Sequence, residues 1–341
     1  MKRNHISNIL KFCIFLAIGV FFIYWFLIKL EPEQKAAIWQ SFVQADYKWV
    51  LVAMLSCVVA HLLRALRWQL LFHTMGYTPR LNNIFGSVMV AYLGNLVFPR
   101  LGEVARCATM QSAENIPLEK SIGTVLTERI FDVIFFGVII VIGLLATFGS
   151  TKDWIYNTLS QYFDRLPTML TLALSAVALL TVAMLLYRLL WRRLMRIALF
   201  RKLHRLAAGC IDGIRSIFRL GTKKLTLFIL YSALLYLCYI VGGQIILQAF
   251  GETRGMGFGV AFVIYLFGSV GMTFSQGGIG VYPVMVQMAL IVNGISEATG
   301  AATGWLWWGT QQTVVVVGGL AYLVYFSLKK RKNKQAINTK P

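Results

Sequence analysis

The chain has 341 residues, 58% of them apolar and 13% charged, where a soluble domain carries roughly 25% charged residues. Its 33 Lys and Arg against 13 Asp and Glu give a formal charge of +20, at a mean hydropathy of +0.68. Most soluble enzymes and any disordered chain are excluded. So is a nucleic-acid partner, because the basic residues sit among long apolar runs and not on a polar domain. The composition is that of an all-α, polytopic helical membrane protein.

A membrane-crossing helix needs roughly 20 apolar residues. The first run, 9–29, follows the basic start Met1-Lys2-Arg3. It is longer than the roughly 7–15 residues of a signal-peptide core and no small-x-small site follows, so it reads as a retained span. Further full spans fall at 49–66, 130–148, 167–187, 225–249 and 304–327, about six in all. Two more apolar regions are interrupted and read as broken or re-entrant hairpins. Gly86, Gly94, Asn95 and Pro99 break 81–98, and Gly268, Gly271, Ser275 to Gly278, Gly280 and Pro283 break 256–293. Residues 1–330 form a single integral membrane domain, and 331–341 a basic tail.

The layout passes a charge test. With a cytoplasmic N-terminus, and each broken region entering and leaving on one side, 27 of the 33 Lys and Arg face the cytoplasm and 6 face outward. The acidic residues divide 6 inside and 7 outside, so the inner face carries about +21 and the outer about −1. Cationic loops are retained on the cytoplasmic side, which puts both termini in the cytoplasm of a chain integral to the cytoplasmic (inner) membrane. The two broken regions then enter from opposite faces, which makes 49–148 and 225–327 candidate inverted halves. Between them, 188–224 carries eleven Lys and Arg interleaved with Leu, Ile, Phe and Trp. It reads either as an amphipathic helix on the inner leaflet or as a cytoplasmic hairpin whose charge only fixes orientation.

Four polar clusters stand out. In Asn95-Leu-Val-Phe-Pro-Arg100-Leu-Gly-Glu103-Val-Ala-Arg106, Pro99 stops one helix and Glu103 suits the first turn of the next. Glu103 and Arg106, three apart, can pair on a helix, which would leave Arg100 to face an anion. In Glu128-Arg129-Ile-Phe-Asp132 two carboxylates lie i,i+4 on one helix face. Burying them requires cationic partners, for which Arg64, Arg67, Arg100 and Arg106 are candidates. Arg64 and Arg67, with Trp68, are either interfacial anchors or a phosphate clamp. Gly277, Gly278 and Gly280 would let backbone N–H groups approach a ligand at the start of a helix near Pro283.

No Asp-x-Asp, His-Glu-x-x-His, Gly-x-Ser-x-Gly or Walker motif is present, so no catalytic residue is assigned and the chain is not expected to be an enzyme. His5, His61, His73 and His204 are too scattered for a metal cluster, and the five cysteines make no disulfide framework. No metal and no cofactor are expected.

In order, Arg64-x-x-Arg-Trp68, Gly94-Asn-x-x-x-Pro-Arg-x-Gly-Glu-x-x-Arg106, Glu128-Arg-x-x-Asp132 and Gly277-Gly-x-Gly280 resemble the lysylphosphatidylglycerol synthetase transmembrane region, also called the flippase-like domain family, over roughly 10–330. The resemblance implies translocation of an aminoacylated or other polar-headgroup lipid. In synthetase members a soluble aminoacyl-transfer domain follows the membrane part; here the sequence reaches Pro341 soon after the last span, so that activity is not expected. The partners implied are membrane lipids, anionic or aminoacylated. A phosphate headgroup would be held by Arg67, Arg100, Arg106 and Arg129, with Glu103, Glu128 and Asp132 orienting the arginines or meeting a cationic aminoacyl group. The other reading is a non-transporting accessory protein that docks a lipid- or glycolipid-modifying enzyme.

Overall fold

The computed structural model describes residues 32–97, 101–147, 211 and 215–338. The spans expected at 9–29 and 167–187, most of the 188–224 segment and Arg100 lie outside these residues. The helices are α1 (Pro32–Gln44), α2 (Tyr47–Thr74), α3 (Leu81–Val97), α4 (Leu101–Glu114), α5 (Leu118–Thr147), α6 (Thr222–Leu247), α7 (Phe258–Phe274), α8 (Val281–Val292) and α9 (Glu297–Asn338). Single 3₁₀ turns occupy Ser216–Arg219 and Gln276–Gly278, and there is no strand among the described residues. The all-helical fold read from the sequence is the fold observed.

By length and composition, α2, α6 and the Glu297–Lys329 part of α9 are able to cross a membrane. Their outward residues agree: Leu51 on α2, Leu230 on α6 and Val324 on α9 are large, apolar and exposed, as are Val133 and Val141 on α5. In water such faces would aggregate; against lipid they need no cover, because the helix satisfies its own backbone. Asp46 starts α2 by accepting a hydrogen bond from the Lys48 N–H at 3.3 Å. The α2 and α6 helices lie side by side, with Ser56 Oγ donating to the Cys238 carbonyl at 2.7 Å.

Both broken regions are helical hairpins. In the first, α3 and α4 run antiparallel. Their far ends are tied by Asn83 Nδ2 donating to Glu114, and near the tip the Gly102 N–H donates to Asn95 Oδ1 at 2.9 Å. Gly102 is buried directly against the Ala91 carbonyl, where any Cβ would collide. The second hairpin is α7 and α8, turned through Gly277, Gly278 and Gly280, all with φ between 62° and 75°. A side chain would be strained in that left-handed region. The sequence placed the first interruption at 81–98, but the hairpin extends to Glu114. Its return arm is too polar to read as apolar, and it tolerates burial because Arg106 finds an anionic partner inside the protein.

The two hairpins meet end to end along α9. Gly304 of α9 backs onto Pro283, and Trp308 reaches the turn at Gly277. Further on, Gly318 and Gly319 back onto Met89 and Leu93 of α3, and Tyr322 Oη donates to Asn82 Oδ1 at 2.6 Å. From Gly304 to Tyr322 is about 27 Å at 1.5 Å per residue, close to the ~30 Å hydrocarbon layer. The turn at Gly277 lies against Leu96, so the two tips touch midway. At the end of α9 near Glu297, Glu252 accepts hydrogen bonds from Ser296 N and Ser296 Oγ, both at 2.7 Å, clamping the α6–α7 loop.

Two predictions follow from this packing. Gly102→Val should destabilise the protein by about 3 kcal/mol, the upper end of ordinary overpacking costs, whereas Gly137→Ala, with open space around its Cβ position, should leave the thermal unfolding of detergent-purified protein unchanged. For Glu252, burial pushes the carboxyl pKa up, but hydrogen bonds from Thr299 and Ser296 outweigh it and hold it below its ordinary 4.5. A depressed folded pKa stabilises above the unfolded value and is lost as pH falls through the folded one. Melting temperature should therefore drop below about pH 4.5, and drop less in Glu252→Gln.

Candidate functional site

Arginines from α2 and α4 converge on carboxylates of α5. Glu128 is fully buried and pairs with two guanidiniums: Arg67, at 3.3 Å, and Arg106. One helical turn on, Asp132 receives Arg64 at 3.1 Å, Arg67 at 2.8 Å and Arg129 at 3.5 Å. Arg129 also reaches Glu103 on α4 at 3.4 Å. Arg67 gives one further hydrogen bond to Ser232 Oγ on α6, at 3.2 Å. Arg106 stacks on the Trp68 ring, 3.8 Å from its centroid, and Trp68 Nε1 donates to Thr124 Oγ1 at 2.8 Å. The i,i+4 spacing of Glu128 and Asp132 is what lets one helix face meet Arg64 and Arg67, themselves i,i+3 on α2.

Of the two partners open to Arg106, Glu103 and the α5 carboxylates, it takes the latter. Arg106 turns inward to Glu128, and Glu103 turns outward to Arg129. An i,i+3 pair contributes only a few tenths of a kcal/mol. A buried carboxylate left without its cation costs several, so Glu128 takes Arg106.

Beside the cluster, where the hairpin tips meet, is a cavity of about 630 Å³. Its wall takes His61 and Arg64 from α2, Tyr92 and Asn95 from α3, and Arg129 from α5. It is completed by Tyr239 on α6, Tyr265 on α7, Tyr282 on α8 and Trp307, Gln311 and Gln312 on α9. Among the described lining residues, Arg64 and Arg129 are the only charged ones. Arg64 is 5% exposed and its Nε has no hydrogen-bond partner, and neither has Nδ1 of His61, 6% exposed. Arg129 has 43% of its side chain exposed and Glu103 30%, so their pair forms the cluster's open edge.

Of the residues singled out from sequence, the structure brings Arg64, Arg67, Glu103, Arg106, Glu128, Arg129 and Asp132 into one ion network. It places Arg64, Asn95, Arg129 and Gly277 on the cavity wall. Arg67, Arg106 and Glu128 are sealed within the network, not on the wall. At the glycine turn the Gly277 carbonyl accepts from Trp308 Nε1 at 2.9 Å and Gln312 Nε2 at 3.1 Å, and the Gly278 N–H donates to the Ser275 carbonyl at 3.2 Å. Gly278 and Gly280 shape the turn that ends where α8 begins. Sequence reasoning did not single out His61, the four tyrosines, Gln311 or Gln312. The adjacent glutamines inside an apolar span were the available signal.

The family model described as lysylphosphatidylglycerol synthase TM region matches residues 10–319. Over 110 residues the chain is 33% identical to the glycosyltransferase AglD of Haloferax volcanii, a match covering 31% of this chain and 18% of that protein. Over 112 residues it is 25% identical to the UPF0104 membrane protein MJ1595 of Methanocaldococcus jannaschii, covering 31% of this chain and 33% of that protein. The matched stretches thus span a third or less of each relative's length. No solved structure matches.

Removing the charge of Glu128 strips buried Arg106 of its carboxylate, while Arg67 keeps Asp132. Glu128→Gln should cost about 3–5 kcal/mol, and Glu103→Gln, at a partly exposed pair, less than about 1 kcal/mol. Thermal unfolding of both variants, monitored by size-exclusion recovery after heating, checks the ordering.

Proposed function

The chain belongs to the lysylphosphatidylglycerol synthase TM region family, integral membrane proteins, and on that premise we propose that it is a lipid translocase that moves a phospholipid or other polar-headgroup lipid across the cytoplasmic membrane. One observation carries the reading: a cavity at the meeting point of two opposed hairpins, midway along α9, whose charged lining consists of two arginines. Guanidinium binds phosphate bidentately and keeps its charge in a low-dielectric site. Interrupted helices that meet near the midplane from opposite ends are where inverted-repeat transporters hold their substrates.

In this reading 49–148 and 225–327 are inverted halves, with α3–α4 entering from the cytoplasm and α7–α8 from outside. The charge asymmetry of the sequence supports that orientation and the cytoplasmic placement of both termini. The sealed arginines Arg67 and Arg106 build the site; Arg64 and Arg129 face the headgroup. Opening and closing of the Glu103–Arg129 edge would let the headgroup in from the inner leaflet. No catalytic step is assigned to the chain. The partial match to a glycosyltransferase favours one second reading, in which the cavity presents a lipid to a separate enzyme without moving it.

Purified protein in vesicles carrying headgroup-labelled phosphatidylglycerol separates the two. Translocation predicts transbilayer movement that falls at least tenfold in Arg129→Ala while the protein stays folded. Headgroup binding with no movement by the wild type would support the second reading, and movement unaffected by Arg129→Ala would overturn the site assignment.

A further inference from the structure

The cavity wall also discriminates among headgroups. We infer that it takes a phosphate joined to a neutral, hydroxyl-rich group, a sugar or polyol phosphate on a lipid, and turns away headgroups that carry an ammonium. The inference rests on the reading of this cavity as a headgroup site and narrows its substrate class.

The charge of the wall comes first. A lysyl-type headgroup brings ammonium charge, which a carboxylate beside it would offset once water is stripped away. Among the described lining residues there is none. The three nearby carboxylates are held by guanidiniums, Glu128 by Arg67 and Arg106, Asp132 by Arg64, Arg67 and Arg129, and Glu103 by Arg129. Four arginines against three carboxylates leave the cluster one positive charge in excess. That excess attracts an anion and repels an ammonium.

The neutral part of the wall comes second. At about 630 Å³ the cavity lies in the ~300–1,000 Å³ range of sites that enclose a whole small molecule, more than a bare phosphate fills. Its far side offers hydroxyl and amide groups and aromatic rings. Gln311 Nε2 donates to Tyr282 Oη at 2.9 Å, and Gln312 Nε2 donates to the Gly277 carbonyl at 3.1 Å. Both amides are thereby fixed in the wall with acceptor capacity to spare. The side chains of His61 and Arg64 line the same space. A polyol's hydroxyls, each both donor and acceptor, meet amide, imidazole and phenol groups alike, and the rings of Tyr265 and Trp307 cover its C–H faces.

The test uses the full chain in phosphatidylcholine nanodiscs, with binding read from tryptophan fluorescence. The probes are phosphatidylinositol, lysylphosphatidylglycerol, phosphatidic acid and soluble inositol phosphate. Phosphatidylinositol should bind at least tenfold more tightly than lysylphosphatidylglycerol and at least fivefold more tightly than phosphatidic acid. Gln311→Leu, which lies outside the ion network, should cut the second ratio below twofold, and Arg64→Gln should weaken both anionic lipids at least tenfold. Lysylphosphatidylglycerol binding as tightly as phosphatidylinositol, or an unchanged ratio in folded Gln311→Leu, overturns the inference. Soluble inositol phosphate binding as well as the lipid would overturn a lipid as the source of the headgroup. Selective binding without transbilayer movement would defeat the translocase reading and leave this one standing. Preferential movement of lysylphosphatidylglycerol would do the reverse.

Discussion

Glu128 has no exposed surface, and its oxygens are taken by Arg67 from α2 and Arg106 from α4. A carboxylate so placed is tolerable only while both cations stay. The requirement reaches well beyond one residue. It holds the return arm of the first hairpin against α5, together with buried Cys107 and Met110, and it fixes the rotation of α2. Replacing such a network by well-packed apolar residues need not cost stability. What the network adds is register: Arg64 and Asp132 are one turn from Arg67 and Glu128, so satisfying the inner pair sets the outer one beside the cavity.

The second constraint is the close approach of backbones along α9. Gly304, Gly318 and Gly319 each lie where a side chain would press on Pro283, Met89 or Leu93. Small residues at helix contacts are how packing substitutes for the hydrophobic effect when the solvent is itself apolar. They let both hairpins sit on one helix, tip to tip. The left-handed turn at Gly277, Gly278 and Gly280 brings α8 back against α7 within a few residues. The cavity opens beside the point where the two tips meet.

Much of this was legible in the sequence because the physical reasons are local. Pro99 and the glycines interrupt apolar runs, and the i,i+4 carboxylates of Glu128 and Asp132 on a span demand arginines. Partner choice was not legible. Glu103 and Arg106 looked like a pair because sequence spacing shows i,i+3 neighbours but not which side of α4 meets α5. The return arm was not read as part of the hairpin, although Arg106 on it was among the candidate partners for the buried carboxylates. His61, Tyr92 and Tyr282 carried no signal, because a single polar side chain in an apolar helix reads the same whether it faces a cavity or the core. The glycine turn was legible as a break, but not that Trp308 and Gln312 tie its Gly277 carbonyl to α9.

The arrangement divides one set of arginines into two jobs. Arg67 and Arg106 are enclosed and neutralised, so their guanidiniums are fixed structural cations. Arg64 and Arg129 share the remaining carboxylates and keep contact with the cavity. An anion arriving there competes for donors only partly used by Asp132 and Glu103, and a guanidinium offers five N–H groups, so it can hold carboxylate and phosphate at once. The anion need not break the buried pairs that hold α2, α4 and α5 together. Binding and release can then proceed at the exposed Glu103–Arg129 edge while the Glu128 core stays intact.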